Sequence, residues 1–328
     1  MSGSPISGER RRTMLRSAMG PGIAAALADP RVIEVMVNPD GALRVDILGE
    51  GRVDTDIRMD PAQVERIIRL VASHARGEVH AERPIVSAEL PPHGEGAGER
   101  FEGVLPPVSL APCFSIRKPA ARIYTLLDYV TDGIMSADAA RILSMAVVER
   151  RNILVVGGTS SGKTTLANAL LAEMAHLDER VILIEDTREL QCAAPDVVAL
   201  RTRAGSVTMA DLVRSTLRLR PDRIIVGEVR GAEAIDMLKA WNTGHPGGIA
   251  TVHANSALSA LYRVEQLVQE AVVSVPRPLI ADAIDLIVFI AGRGLARRIE
   301  TIARVVGLDP DGGYGLIDIT PTSQAQGD

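Results

Sequence analysis

The stretch Gly157-Gly158-Thr159-Ser160-Ser161-Gly162-Lys163-Thr164 limits this chain more than any other feature. It matches GxxxxGK[ST] at every fixed position. An apolar run, Asn152–Val156, precedes it, and a segment with Leu166, Ala169, Leu170 and Ala172 at helical spacing follows. Strand, glycine-rich loop and helix in that order are the setting in which loop N–H groups cradle phosphate oxygens. The glycines let the backbone curl, and the helix N-terminus adds partial positive charge. Lys163 would reach the β- and γ-phosphates, and the Thr164 hydroxyl would ligate Mg²⁺, with Thr165 beside it in the first helical turn. The loop specifies a nucleoside triphosphate with magnesium; by itself it does not say which machine uses them.

The rest of the second half fits around such a loop. Short apolar runs recur at Val181–Ile184, Arg223–Val226, Gly248–Val252 and Leu286–Ile290, with helical segments between most of them. Continuous apolar strands alternating with helices predict an α/β fold with a mainly parallel sheet covered on both faces. Arg298–Val306 and Leu316–Ile319 read as a terminal hairpin. The first half has a different pattern. Val32–Val37, the turn Asn38-Pro39-Asp40-Gly41 and Leu43–Leu48 read as a hairpin, and Val53–Met59 adds a third strand. Asp60-Pro61 opens a helix with Gln63 in capping-box position, an apolar face of Val64, Ile67, Ile68, Val71 and Ala75, and Gly77 at its end. Short strands follow from Pro84 to Pro119. The expected organisation is a flexible tail over 1–20, a smaller α+β domain over 21–118, a linker or hinge over 119–135, and the α/β domain over 136–328.

Three further groups of polar residues follow the predicted strands. Ile184-Glu185-Asp186-Thr187-Arg188-Glu189-Leu190 places carboxylates at a strand's C-terminal end, where open α/β sheets bind ligands. A Mg²⁺–triphosphate site needs such groups to hold the metal's water shell or to orient the attacking water. Arg223–Val226 runs into Gly227-Glu228-Val229-Arg230. Asp222 precedes that strand and so lies at its wrong end. Glu228 is the expected catalytic carboxylate, with Glu185 the alternative. Both are expected to meet Mg²⁺ through water, whereas Thr164 meets it directly. The third group, Thr243 to Ser256, carries His245 and His253 around a short strand. No Cys, Asp or Glu lies near them at ligand spacing, so the pair reads as polar groups at a strand tip that sense the γ-phosphate or bridge subunits, not as a zinc site.

Composition removes other classes. With 46% hydrophobic and 23% charged residues the chain is an ordinary globular one. Aromatics make up 2% and the net charge is −5. Neither base-stacking platforms nor a basic field for nucleic acid is present, so no stable sequence-specific nucleic-acid binding is expected. Cys113 and Cys192 form no CxxC pair, which suits a reducing compartment. The apolar stretch Pro278–Gly292 is interrupted by Asp282 and Asp285, so it reads as no membrane span. Arg10, Arg11 and Arg12 are read as a solvated tail, with weak contact to an anionic membrane surface as the functional alternative.

With all four motifs in order, the chain resembles the traffic ATPases of type II and type IV secretion systems. Their Walker A, Asp box, Walker B and His box correspond to 157–164, 182–190, 223–228 and 243–256. Arg218-Leu219-Arg220-Pro221-Asp222-Arg223 through Gly231, and the run from Thr243 through Ser256, resemble the conjugal-transfer (TrbB-type) branch. The four-cysteine zinc module usual in type II assembly ATPases is missing here. The resemblance implies a RecA-like ATPase domain behind a smaller α+β domain, in a homohexameric ring. Such a ring works at the cytoplasmic base of a secretion channel, with inner-membrane channel components as partners and peripheral membrane association. It also implies that arginines of the first domain reach the phosphates; Arg100 and Arg117 match best. A type II or pilus-type traffic ATPase and a RecA-like hexameric helicase are the alternatives. A small-molecule kinase would need an arginine-rich lid that the chain lacks, and intact Lys163, Thr164, Glu185 and Glu228 speak against a scaffold that does not turn over.

Overall fold

The structure is a computed structural model describing residues 5–91, 98–119, 123–203 and 205–321, with side chains from residue 13 onward other than that of residue 295. The chain divides into two units, Met1–Ala121 and Arg122–Asp328.

In the first unit, β1 (Val32–Val37), β2 (Ala42–Ile47) and β3 (Gly51–Arg58) form the expected meander, and β4 (Ile85–Glu89), β5 (Arg100–Val104) and β6 (Cys113–Arg117) complete an antiparallel sheet of order β3-β2-β1-β6-β5-β4. The first turn requires glycine: Gly41 has φ of 74°, and a Cβ there would lie 2.5 Å from the Met59 carbonyl oxygen. Helices α1 (Pro5–Ala28) and α2 (Pro61–His74) accompany the sheet. Asp60 caps α2, its carboxylate accepting from the Ala62 N–H at 2.8 Å. Val64, Ile67, Ile68, Val71 and Ala72 are buried, so Ala72 takes the place expected of Ala75. They share one core with Val35, Phe101 and Ile116.

Two boundary expectations change. Residues 1–20 read as a tail by their polar composition, yet α1 starts at Pro5 and buries Leu15 and Met19, with Ile23 one turn further. These residues are spaced four apart, a narrow helical stripe that polar neighbours dilute and that continues across the non-helical Gly20 (φ 78°). The side chains of Arg10 to Arg12 lie outside the described residues. The expected linker over 119–135 contains a helix, α3 (Leu126–Thr131), closed at its start by a reciprocal Thr125–Asp128 capping box. Leu126 and Tyr129 are buried in the core of the second unit. At six residues the helix is too short to register as periodicity. Residues 120–122 of that stretch lie outside the described residues.

The second unit adds α4 (Ala137–Val148), β7 (Ile153–Gly157), α5 (Lys163–Ala172), β8 (Arg180–Glu185), β9 (Asp196–Arg201), α6 (Met209–Thr216), β10 (Arg223–Val226), α7 (Glu233–Asn242), β11 (Ile249–His253), α8 (Ala257–Gln269), α9 (Arg277–Ala283), β12 (Leu286–Ala291), β13 (Arg298–Leu308) and β14 (Tyr314–Asp318). The sheet order is β14-β13-β12-β7-β11-β10-β8-β9. From β12 to β9 every pairing is parallel, and β13 and β14 extend the sheet antiparallel. Successive strand residues enter two different apolar layers: Leu154 and Val156 of β7 join one, Ile153 and Val155 the other. That double coverage is why the central strands carry unbroken apolar runs. β9 was not anticipated. It is an edge strand of exposed and half-buried residues, whose short apolar run over 197–200 is bounded by Asp196 and Arg201.

Candidate functional site

Parallel pairing brings the carboxyl ends of β7, β11, β10 and β8 to one edge. Gly157 pairs with His253, Val226 with Ala250, and Val226 with Ile184. The residues that follow each strand therefore converge there. The loop Gly158–Gly162 leaves β7 and enters α5, with Ser160 at φ 62° and Gly162 at φ 98°. A Cβ on Gly157 would lie 2.5 Å from both the Ile290 carbonyl oxygen and Ser161 Oγ, so glycine is required for the loop to fold back. Gly162 is the N-cap of α5 and no side chain caps the helix. The N-cap residue thus offers the first-turn N–H groups no carboxylate or hydroxyl, and the helix's partial positive charge faces the loop. Ser161 is 3% exposed and its Oγ has no hydrogen-bond partner. A loop of this shape, with uncapped helix donors and a buried ammonium, fits the phosphates of a nucleotide.

Lys163 is 7% exposed. Its Nζ donates to the Gly158 carbonyl at 3.2 Å and lies 3.1 Å from His253 Nδ1 and 3.3 Å from Nε2. His253 Nε2 in turn lies 2.9 Å from Glu228 Oε1, and Glu228 Oε2 accepts from Arg230. Arg230 also stands 4.0 Å from Asp186, whose Oδ1 accepts from the Thr202 hydroxyl at 2.8 Å. Burial and the Lys163 ammonium hold the His253 pKa below its usual value, Glu228 opposing, so the imidazole is neutral at pH 7. Lys163 can only donate, so Nδ1 accepts from it, while Nε2 faces Glu228 Oε1 at 2.9 Å without a hydrogen bond to that oxygen.

The two carboxylates have opposite surroundings. Glu185, 4% exposed, has Oε1 accepting from the N–H groups of Glu189 at 2.8 Å and Leu190 at 2.7 Å. Burial outweighs those bonds and pushes its pKa up to about 7. Glu228 is also raised by burial, but the Arg230 hydrogen bond and the charges of Arg230, His253 and Lys163 outweigh that and leave it below the usual carboxylate range. Gly227 lies between them. Its N–H donates to the Ile184 carbonyl at 2.9 Å, and a Cβ there would press to 3.1 Å on Glu185 Cγ.

Of the residues expected from the sequence, Lys163, His253, Glu228 and Glu185 meet at this edge, as do Gly157, Gly158, Thr159, Ser160, Ser161, Gly162, Thr164 and Thr165 in and after the loop. His245 does not. It precedes β11 and lies at the opposite edge of the sheet, with Nδ1 3.0 Å from the Pro221 carbonyl oxygen. The neighbouring Gly247 and Gly248 N–H groups are held by Asn152 Oδ1, just before β7. Histidines that flank a strand necessarily sit at its two ends. Asp222, discounted for the same reason, is also at that far edge, accepting from the Arg180 N–H at 2.7 Å. Arg100 and Arg117 belong to the first unit, where β5 and β6 set them directly opposite each other, with Glu34 of β1 opposite Arg117 and Glu89 of β4 opposite Arg100. Cross-strand partners share a face, so the two arginines stand side by side between acidic residues. Arg230 was not singled out as a site residue; the cue was its position two residues beyond Glu228.

A family model described as "Type II/IV secretion system protein" matches residues 52–306. The conjugal transfer protein TrbB of Rhizobium radiobacter is 48% identical over 295 residues, which cover 89% of this chain and 90% of that one. The type IV secretion system protein VirB11 of Bartonella henselae is 32% identical over 290 residues, covering 76% of this chain and 80% of its own. Among solved structures, the pilus retraction motor PilT with bound ADP has a TM-score of 0.60 at 20% identity, covering 92% of this chain and 82% of that one, a likeness of fold. The matched stretch contains all four motifs, and the sheet that carries them is the RecA-like one the motifs imply. The chain therefore belongs to the type II/IV secretion system protein family, on the branch of its conjugal-transfer TrbB relatives.

Proposed function

We propose that this protein hydrolyses ATP to ADP and phosphate, with Mg²⁺, as the motor of a type IV secretion or conjugation apparatus, where it powers pilus assembly or DNA–protein transfer. The observation that carries the reading is the continuous polar chain Gly158–Lys163–His253–Glu228–Arg230 beside an uncapped helix N-terminus. In it Lys163 is held by weak neutral acceptors, which a phosphate oxygen outcompetes as a charged one. Lys163 then holds the β- and γ-phosphates. Glu228 orients the attacking water and takes its proton, while neutral His253 keeps that carboxylate in place. Thr164 would hold Mg²⁺, with Glu185 and Glu228 reaching it through water, and the ion would supply positive charge to offset that on the phosphates.

The family supports a homohexameric ring on the cytoplasmic side, peripheral to the inner membrane and docked on its channel components. No helix among the described residues is long and apolar enough to cross a membrane. The same resemblance supports a role for Arg100 and Arg117 at the phosphates. Steady-state phosphate release tests the reading, measured with ATP and Mg²⁺ for the wild type, Lys163→Ala and Arg117→Ala, each with and without single-stranded DNA. We expect wild-type release without any acceptor. Lys163→Ala should lose ~10²–10³-fold, as one lost charge contact in a water-excluded site does. Arg117→Ala should be slowed. Release by Lys163→Ala at the wild-type rate overturns the assignment, and strong stimulation by DNA favours a helicase.

A further inference from the structure

Arg297 stands at the end of the connection between β12 and β13, far in sequence from every motif that marks the site. A Cβ built on Gly162 would lie 2.9 Å from both Cζ and Nε of Arg297, so the guanidinium rests against the N-cap residue of α5. Its Nε is buried without a hydrogen-bond partner, and no ion pair holds the side chain among the described residues. It has company. Ser161 Oγ in the same loop is buried and unpartnered, and so is the hydroxyl of Tyr129, which is 1% exposed. Burial raises the pKa of that phenol and the charge of Arg297 opposes it, which places the arginine within electrostatic reach of Tyr129 as well.

A fixed positive charge against the positive end of an uncapped helix is unfavourable unless an anion lies between them. A planar guanidinium whose Nε–H has no partner is well matched to phosphate oxygens. Its position selects which phosphates. β7 is flanked by β11 on one side and β12 on the other. His253 and Glu228 gather on the β11 side, where γ-phosphate chemistry belongs, whereas Arg297 approaches from the β12 side. We propose that Arg297 is a further nucleotide-binding residue, holding the α- and β-phosphates that ATP and ADP share. The proposal rests on the nucleotide site described above.

Binding of ADP and of a non-hydrolysable ATP analogue, with Mg²⁺, separates the possibilities in the wild type, Arg297→Gln, Arg297→Lys and Lys163→Ala. The expected result is an affinity loss of about tenfold for both nucleotides in Arg297→Gln, only partly recovered by Arg297→Lys, which restores the charge and not the planar fork, with the KM effect exceeding any fall in kcat. Nucleotide-free melting should be the same in all three Arg297 forms. In the unmodified protein, ADP should also protect Arg297 from phenylglyoxal, read by peptide mass, a result that does not depend on any variant folding. ADP affinity within about twofold of wild type in Arg297→Gln overturns the proposal, as each contact to a charged group is worth more than that. So does a loss confined to the ATP analogue, which would make it a γ-phosphate contact. A lowered nucleotide-free melting point that lysine does not restore would make the residue a support for the loop, and modification undiminished by ADP also contradicts it. If the wild type binds neither nucleotide, or Lys163→Ala binds both as well as wild type, the underlying site assignment fails, not this one.

Discussion

Glu185 and Glu228 bring one functional group into two opposite environments a strand apart. Glu228 is kept charged by the cations around it, whereas Glu185, shielded from water, reaches about pH 7 before it ionises. The consequence for stability has a definite sign. Below the ordinary value of 4.5 Glu185 is protonated in both folded and unfolded chains and costs nothing. Between that value and about 7 the unfolded chain ionises first, so the folded state loses stability as pH rises, and the full cost is present above it. We expect that cost to be about 3 kcal/mol. Denaturant unfolding of wild type and Glu185→Gln at several pH values measures it: the amide should remove a downward slope between pH 4.5 and about 7, other titrations cancelling in the difference. Parallel curves for the two proteins would remove the burial argument. The placement of Lys163, Thr164 and Glu228 beyond the strand ends was legible in the sequence because spacing after an apolar strand defines it. The linkage of Lys163 through His253 to Glu228 was not, since it depends on which strands are neighbours.

At the scale of elements, most strands seen in the second half of the sequence were those buried on both faces, which carry unbroken apolar runs. The edge strand β9 carries one too, over 197–200, yet was passed over, and α3, at six residues, is too short to show a period. A buried charge is equally hard to foresee. Arg223 opens β10 with 0% exposure, an apolar strand's first residue in appearance. Its guanidinium is paired with Glu179, which also accepts from Arg150 Nε at 2.6 Å and so ties β8's approach to β10 and to the end of α4. Removing Glu179 would leave a buried cation uncompensated. We expect Glu179→Ala to destabilise the second unit by about 3–5 kcal/mol, read as a lower denaturant midpoint. A loss below about 1 kcal/mol would mean that water reaches Arg223 and that the pair is an ordinary surface bridge. His245 belongs to this far edge too. Its fate follows from strand polarity alone: in a parallel sheet only the residue at the strand's carboxyl end meets the loop, and that residue is His253.

For the whole molecule, the two-unit division follows the change of pattern in the sequence, from antiparallel hairpins to strand–helix alternation. Its division between Ala121 and Arg122 lies shortly after β6, which ends at Arg117. The central claim is that the second unit holds ATP through Lys163 and splits it through Glu228, two distinct tasks in one polar chain. The most direct test is to incubate Glu228→Gln with ATP and Mg²⁺, isolate the protein and identify its bound nucleotide. The amide keeps the shape of the side chain and loses the charge that takes the water's proton. The account predicts that ATP is recovered intact on the variant, whereas the wild type yields ADP. Recovery of ADP from Glu228→Gln as fast as from wild type would contradict it and pass the catalytic role to another carboxylate, Glu185 first.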